Sequence, residues 1–317
     1  MTGFVTNNVA AQYAGKRVLV TGASGFLGRH VVDQLAALGC HVTCVSRNPH
    51  SDDRSNVEWL KSDLSNRTEA AWAVRKAGPG IVFHLAGESK GDQRIENVTD
   101  CFKNDLEATV NCLLAAQELG GCSRFVMTGS LEEPISPHNR DDADPIPLSP
   151  YAAAKFASGF YGRMFNRLYD LPVVILRPFM TYGPGQKKHK VVPYTILSLL
   201  RGKPPQLSSG DRPIDWIFVG DVVDACVLAG VSPDAAGRTL ELGSQEAVPL
   251  RTVVEKIYSL VGGPRPVFGV MQDRGVKRVA DSCAAFQVLN NWKPQTRLDD
   301  GLRETVEWYR QNLMQFS

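Results

Sequence analysis

The sequence predicts an α/β protein on a doubly wound parallel sheet with a smaller C-terminal α/β domain. Three observations carry this. Apolar strands alternate with amphipathic helices from residue 17 to 176. A glycine-rich turn joins the first strand to the first helix. Beyond Pro178 the alternation gives way to a stretch rich in proline and glycine. In order, 17–21 reads as a buried strand and 26–38 as a helix stopped by Gly39. Strands at 41–45 and 57–60, a helix at 68–77 and a strand at 81–85 follow. A long helix at 99–119, a strand at 124–128, a Pro/Asp-rich loop, a helix at 151–169 and a strand at 173–176 complete the series. Strands that alternate with helices pair in parallel. Later come helices at 191–201, from about 221, at 249–261 and near 300–313, with one returning strand at 239–242. The expected division is 15–178 plus 217–244 against 179–216 plus 245–317, with 1–14 a flexible tail.

The chain has 317 residues, 43% hydrophobic and 21% charged, and a formal charge of +2. Such a composition excludes wholesale disorder and gives no global attraction to nucleic acid. No run approaches the roughly 20 apolar residues of a membrane helix. The seven cysteines form no CxxC pair, and the histidines no HxxxH or HExxH spacing. We therefore expect reduced thiols, no metal, no membrane partner and a cytoplasmic location.

Thr21-Gly22-Ala23-Ser24-Gly25-Phe26-Leu27-Gly28 places three glycines between a strand and a helix. The first permits a tight turn, the second lets backbone approach a pyrophosphate, and the third lets helix pack on sheet. Free N–H groups at the helix start then meet the phosphates. This is a Rossmann-type dinucleotide loop. The usual NAD fingerprint has a carboxylate about 20 residues on. Here the second strand ends Ser46-Arg47-Asn48-Pro49, and the first acid is Asp52. Arg47 suits a 2′-phosphate, so NADP(H) is favoured over NAD(H).

Tyr151 and Lys155 lie four apart on one helix, hence on one face. A nearby ammonium would lower the tyrosine pKa from about 10. Ser130 follows the strand 124–128, at the carboxyl end where parallel sheets place ligands.

These motifs together resemble the extended short-chain dehydrogenases/reductases, in their nucleotide-sugar epimerase/dehydratase/reductase branch (the NAD-dependent epimerase/dehydratase family). The likeness runs over about 15–313. Asp63-Leu64 looks like the family's adenine-binding pair, and His84-Leu85-Ala86-Gly87 like its HLAA with glycine last. Asn104 is similar to its long-helix asparagine. Arg177-Pro178-Phe179 with Tyr182-Gly183-Pro184-Gly185-Gln186 resembles RPFNVYGPGQ. Phe218-Val219-Gly220-Asp221-Val222 and the segment 291–309 match its later motifs.

The resemblance implies Ser130, Tyr151 and Lys155 as the catalytic triad. It implies cofactor contacts from Gly22, Ser24, Gly25, Phe26, Leu27, Gly28, Ser46, Arg47, Asp63, Leu64, Leu85, Ala86, Gly87, Asn104, Tyr151, Lys155 and Pro178. For the substrate it implies Glu132, Met180, Thr181, Val192, Arg212 and Arg274, with Arg278 an alternative to Arg274. It also implies a homodimer through helices 99–119 and 151–169, with Leu106, Val110, Leu113 and Leu114 fitting either that face or the core. His84 would pack beside the cofactor.

Three departures matter. Leu131 replaces the acid that follows the serine or threonine in 4,6-dehydratases, and a leucine cannot protonate a leaving hydroxyl. Met180 and Ile214 replace an asparagine and an arginine that anchor nucleotide sugars. The expectation is an NADPH-dependent reductase of a keto group, at carbon 4, on a nucleotide-diphosphate sugar. An epimerase that retains its cofactor, a 4,6-dehydratase and a non-catalytic NADP sensor are the alternatives, in that order.

Overall fold

The computed structural model describes residues 7–48, 51–88, 91–134, 146–272 and 278–316. Arg274 lies outside them, as does most of the Pro/Asp-rich loop. The chain divides into two compact units. The first holds residues up to Arg177, Val223–Leu240 and Ala284–Trp292. The second holds Pro178–Val222, Glu241–Cys283 and Lys293 onward. The return into the first unit is therefore narrower than 217–244, and 284–292 goes with it.

In the first unit, β1 (Arg17–Thr21), β2 (His41–Ser46), β3 (Val57–Lys61), β4 (Ile81–His84), β5 (Arg124–Thr128) and β6 (Val173–Pro178) pair in parallel. The returning β9 (Thr239–Leu242) completes a sheet ordered β3-β2-β1-β4-β5-β6-β9. The order reverses between β1 and β4, the switch point at which such sheets bind ligands. β1, β4 and β5 are buried on both faces, as covered parallel strands require. Leu19, Val82, Phe125, Met127 and Ile175 pack on one face against Ala73, Val74, Leu113, Ala116 and Phe165. Those partners belong to α3 (Arg67–Ala77), α5 (Ala108–Leu119) and α6 (Pro150–Tyr169). The side chain of Asn66 caps α3 by accepting from Thr68 N and Glu69 N. Ser149 caps α6 by accepting from Ala152 N at 3.0 Å, with Pro150 in the first turn.

Two readings change. The expected helix 99–119 is α4 (Asn97–Cys101), a π-helical segment Phe102–Glu107, and α5. A wider turn of this kind leaves the apolar periodicity nearly intact, so the sequence does not reveal it. The expected tail is ordered from Asn7 as α1 (Asn7–Tyr13). Val9 and Tyr13 are buried, and the Tyr13 hydroxyl donates to Val227 O at 2.6 Å. The two apolar anchors are spaced one turn apart, which is enough to hold a short helix down.

In the second unit, β7 (Met180–Tyr182), β8 (Pro213–Phe218) and β10 (Ala247–Pro249) form a small sheet ordered β10-β8-β7. Helices α7 (Val191–Leu200), α9 (Leu250–Val261) and α11 (Leu298–Gln311) bury Leu199, Val253, Ile257, Leu302 and Val306. Asp215, buried on β8, accepts from Ser244 N, Gln245 N and Ala280 N at 2.6, 3.2 and 3.0 Å. One carboxylate thus ties together segments that lack regular structure of their own.

Truncating Tyr13 to alanine should cost about 3–5 kcal/mol, the range for a large aromatic lost from a core. Urea unfolding would read this, and a loss below about 1 kcal/mol would mean that α1 is an ornament on the fold.

Candidate active site

Register places the candidate residues along one edge. Thr21 stands beside Val45 and His84, His84 beside Met127, and Thr128 beside Leu176. The turns after β1, β2, β4 and β5 therefore leave the sheet at one level. The first and third nearly touch. A Cβ on Gly22, whose φ is +64°, would stand 2.6 Å from Ala86 N and 2.7 Å from Leu85 C. Only glycine allows this approach. Ser24 Oγ lies 3.2 Å from Ser46 Oγ, joining the glycine loop to the end of β2.

Helix α2 (Phe26–Ala37) begins at Gly25 with no side-chain cap and no acid in its first turn. Its first N–H groups therefore retain bonding capacity that suits a pyrophosphate. Together with the crowding at Gly22, this donor set fits a dinucleotide. The Asp63 carboxylate accepts from Ser65 N and Oγ at 3.0 and 2.8 Å. Asn111, not singled out in the sequence, donates to Leu64 O at 3.0 Å and Ser65 O at 3.1 Å, fixing that loop. Arg47 donates to Asn104 Oδ1 at 3.2 Å and reaches Glu88 Oε1 at 3.9 Å. Arg47, Asn104 and Glu88 thus meet at the margin of the site.

Beneath the loops runs a buried polar chain. Ala86 N donates to Thr21 Oγ1 at 3.2 Å, which lies 2.9 Å from His84 Nδ1. His84 Nε2 lies 3.0 Å from Thr109 Oγ1, whose hydroxyl donates to Asp105 O. Only one tautomer satisfies all four groups: Nε2–H donates to Thr109, and Nδ1 accepts from Thr21. Burial pushes the His84 pKa down to about 3, with the Lys155 charge adding to the effect. The imidazole is neutral and structural.

Helix α6 brings Tyr151 and Lys155 to the same edge. Lys155 Nζ donates to Thr128 O at 3.1 Å and stands 3.7 Å from Asp105 Oδ1. The long-helix residue that reaches the lysine is therefore Asp105, one position beyond Asn104. Tyr151 is hydrogen-bonded with Ser130. Its pKa is nevertheless pushed up, first by burial, then by the charges of Asp105, Glu132 and Glu133, against the lowering from Ser130. This runs opposite to the sequence expectation of a lowered tyrosine pKa, which counted the lysine and neither the burial nor the carboxylates.

Ser130 is itself held from below. Its N–H donates to Glu133 Oε1 at 2.7 Å, and its Oγ accepts from Glu132 N at 3.1 Å. The buried Glu133 is clamped by Arg177, with Nε and Nη2 at 3.0 and 2.6 Å from Oε2. Sequence reasoning gave neither residue a role in the site. The glutamate's position directly after Glu132 was the available signal. Glu132 itself accepts from Ser149 Oγ at 3.4 Å, beside the cap of α6.

The remaining candidates lie in the second unit. Pro178 opens it, and Met180 and Thr181 sit on β7, with Thr181 Oγ1 donating to Phe179 O at 3.1 Å. Val192 is buried in α7. Arg212 precedes β8, partly exposed. Arg278 pairs with Glu241 and lies 5.1 Å from the Phe179 ring centre.

Residues 18–243 match the NAD dependent epimerase/dehydratase family. A UDP-glucose 4-epimerase of Mycolicibacterium smegmatis is 32% identical over 317 residues, covering 93% of this chain and 98% of that one. A dTDP-glucose 4,6-dehydratase of Neisseria gonorrhoeae is 29% identical, covering 94% and 96%. Among solved structures, epimerase Mth375 of Methanothermobacter thermautotrophicus superposes with a TM-score of 0.86 at 25% identity, covering 99% and 98%. MoeE5 in complex with UDP-glucuronic acid and NAD gives 0.83 at 30% identity, covering 93% and 99%.

Two measurements test this architecture. The folded state binds no proton at His84 between about pH 6.5 and 3, whereas the unfolded chain does. Its contribution is full above 6.5 and drains as pH falls. The stability gap between wild type and His84→Asn should shrink by about 2 kcal/mol from pH 7 to pH 5. A gap independent of pH would contradict a neutral buried imidazole. Arg177→Met leaves Glu133 buried and unpaired, and should lose about 3–5 kcal/mol in urea unfolding. A near-neutral effect would remove the clamp from the account.

Proposed function

The chain belongs to the NAD dependent epimerase/dehydratase family, and we propose that it is a reductase of a keto group on a nucleotide-diphosphate sugar. One observation carries the direction of the reaction. Burial first, and then the charges of Asp105, Glu132 and Glu133, hold the Tyr151 proton on against the lowering from Ser130. A neutral phenol is the form that donates a proton to a carbonyl oxygen; an oxidising enzyme needs the phenolate. When bound, a reduced nicotinamide dinucleotide supplies the hydride. Tyr151 then protonates the oxygen, Ser130 holds the same oxygen, and Lys155 holds the cofactor's ribose. We assign carbon 4 as the reacting carbon on the family resemblance.

NADPH is the proposed donor, because Arg47 is a cation at the end of β2 where the NAD pattern has an acid. Glu88 competes with a 2′-phosphate for that guanidinium, so Arg47 must exchange partners on binding. Leu131 and the engagement of Glu132 with Ser149 argue against dehydration. Epimerisation is the second reading, favoured by the 32% identical epimerase. Self-association fits the exposed Val98, Phe102, Phe160 and Tyr161 on α4, the π segment and α6. We propose that face for a homodimer. Leu113, by contrast, is core. Among the described residues no helix is long and apolar enough to cross a membrane.

Incubation with a 4-keto nucleotide sugar should consume NADPH in a one-to-one ratio and prefer it to NADH. Arg47→Ala should erase that preference, and Tyr151→Phe should lower turnover by about 10²–10⁴-fold while sparing cofactor affinity. Inversion of a hydroxyl with no net cofactor loss would replace the reductase with the epimerase. Equal loss of both cofactors in Arg47→Ala would overturn the phosphate contact.

A further inference from the structure

We propose that Asp105 is a positioning residue that sets the charge felt by Tyr151, acting as a carboxylate packed against the Lys155 ammonium. The inference rests on reading Tyr151 and Lys155 as the acid–base pair. It holds whether the enzyme reduces or epimerises.

Asp105 lies within the π segment and is fully buried. Oδ1 accepts from Glu88 N at 3.0 Å and stands 3.7 Å from Lys155 Nζ. Oδ2 has no hydrogen-bond partner among the described residues. The main chain at this residue is pinned from two helices: Thr109 and Ser158 both bring hydroxyls to Asp105 O. Ser158 lies on α6, one turn beyond Lys155. The backbone that carries the carboxylate is therefore fixed beside the lysine, and Glu88 N holds Oδ1.

Room for it is made by a second residue. A Cβ on Gly87, whose φ is +154°, would collide with Asp105 Oδ1 and stand 3.2 Å from Lys155 Nζ. The glycine that ends His84-Leu85-Ala86-Gly87 is thus explained by the acid at 105.

A neutral amide would have the same shape and would still accept from Glu88 N. Its NH2 would stand where Oδ2 has no hydrogen-bond partner among the described residues. What the carboxylate adds is charge alone. A buried charge is retained only where an opposite charge offsets its desolvation. Lys155 supplies that charge, and its own pull on the Tyr151 proton is offset in return. The other charged groups around the site do not replace Asp105 in this. Glu88 follows β4, and Glu132 and Glu133 follow β5. His84 beneath is neutral, and Arg47 is engaged by Asn104 and Glu88. Burial pushes the Asp105 pKa up to about 6 against the lysine's pull, so the carboxylate is charged throughout the range in which a tyrosine titrates.

The test reads tyrosinate absorbance on the full chain without substrate or cofactor, as the difference between a protein with Tyr151 and its Tyr151→Phe counterpart. Wild type should titrate above the ordinary value of about 10. Asp105→Asn should lower the midpoint by about one pH unit or more, since it removes a like charge and keeps the shape. Asp105→Ser, smaller and also neutral, should move it the same way. An unchanged midpoint in either folded variant would overturn the proposal, as would a wild-type midpoint at or below 10. Because no turnover is measured, a failed reductase assay leaves this readout intact.

Discussion

The site depends on the buried run from Ala86 through Thr21, His84 and Thr109 to Asp105. It joins the glycine loop, the turn after β4 and the long helix by hydrogen bonds that each have one allowed direction. A charged imidazole could not sustain it, because both ring nitrogens would then donate, and the Thr21 hydroxyl has no second acceptor in the run. Neutral His84 is the condition under which three separate pieces of chain share one geometry. Its burial between α5 and the sheet enforces that condition.

Around this neutral centre the protein places two charged pairs with different roles. Glu133 and Arg177 form a tight bidentate clamp whose spare oxygen fixes the Ser130 backbone. Asp105 and Lys155 are looser, at 3.7 Å, and the lysine spends one proton on Thr128 O. The first pair sets position. The second sets charge. Burial, reinforced by the charges of Asp105, Glu132 and Glu133, pushes the Tyr151 pKa up.

Much of this was legible in the sequence where the signal is local. The glycine loop, Tyr151 with Lys155, and the serine after β5 are each defined by short spacings and by their place at strand ends. The parallel sheet followed from alternation alone. What stayed hidden joins distant residues: Arg177 and Glu133 lie 44 apart, and Thr21 and His84 63 apart. No periodicity links such pairs. The π segment is hidden because one extra residue in a turn barely disturbs an apolar stripe. The helix at 7–13 was missed because a polar composition hid two well-spaced apolar anchors. The tyrosine's electrostatics are hidden because the sequence displays the lysine beside it and conceals both its burial and the acids.

The division of the chain has a consequence for how such a protein can change over time. The first unit is not a continuous stretch: its last strand, β9, arrives only after the chain has built the Pro178–Val222 stretch of the second unit. A fragment ending at Arg177 would lack that strand, and β6 would show a bare row of backbone donors and acceptors to any neighbouring chain. The second unit is interrupted in the same way by Val223–Leu240 and Ala284–Trp292. Neither unit can therefore be moved by a single cut and paste. A new specificity on such a fold has to be reached by residue replacement within an unbroken thread, and differences such as Met180 and Ile214 are of that kind.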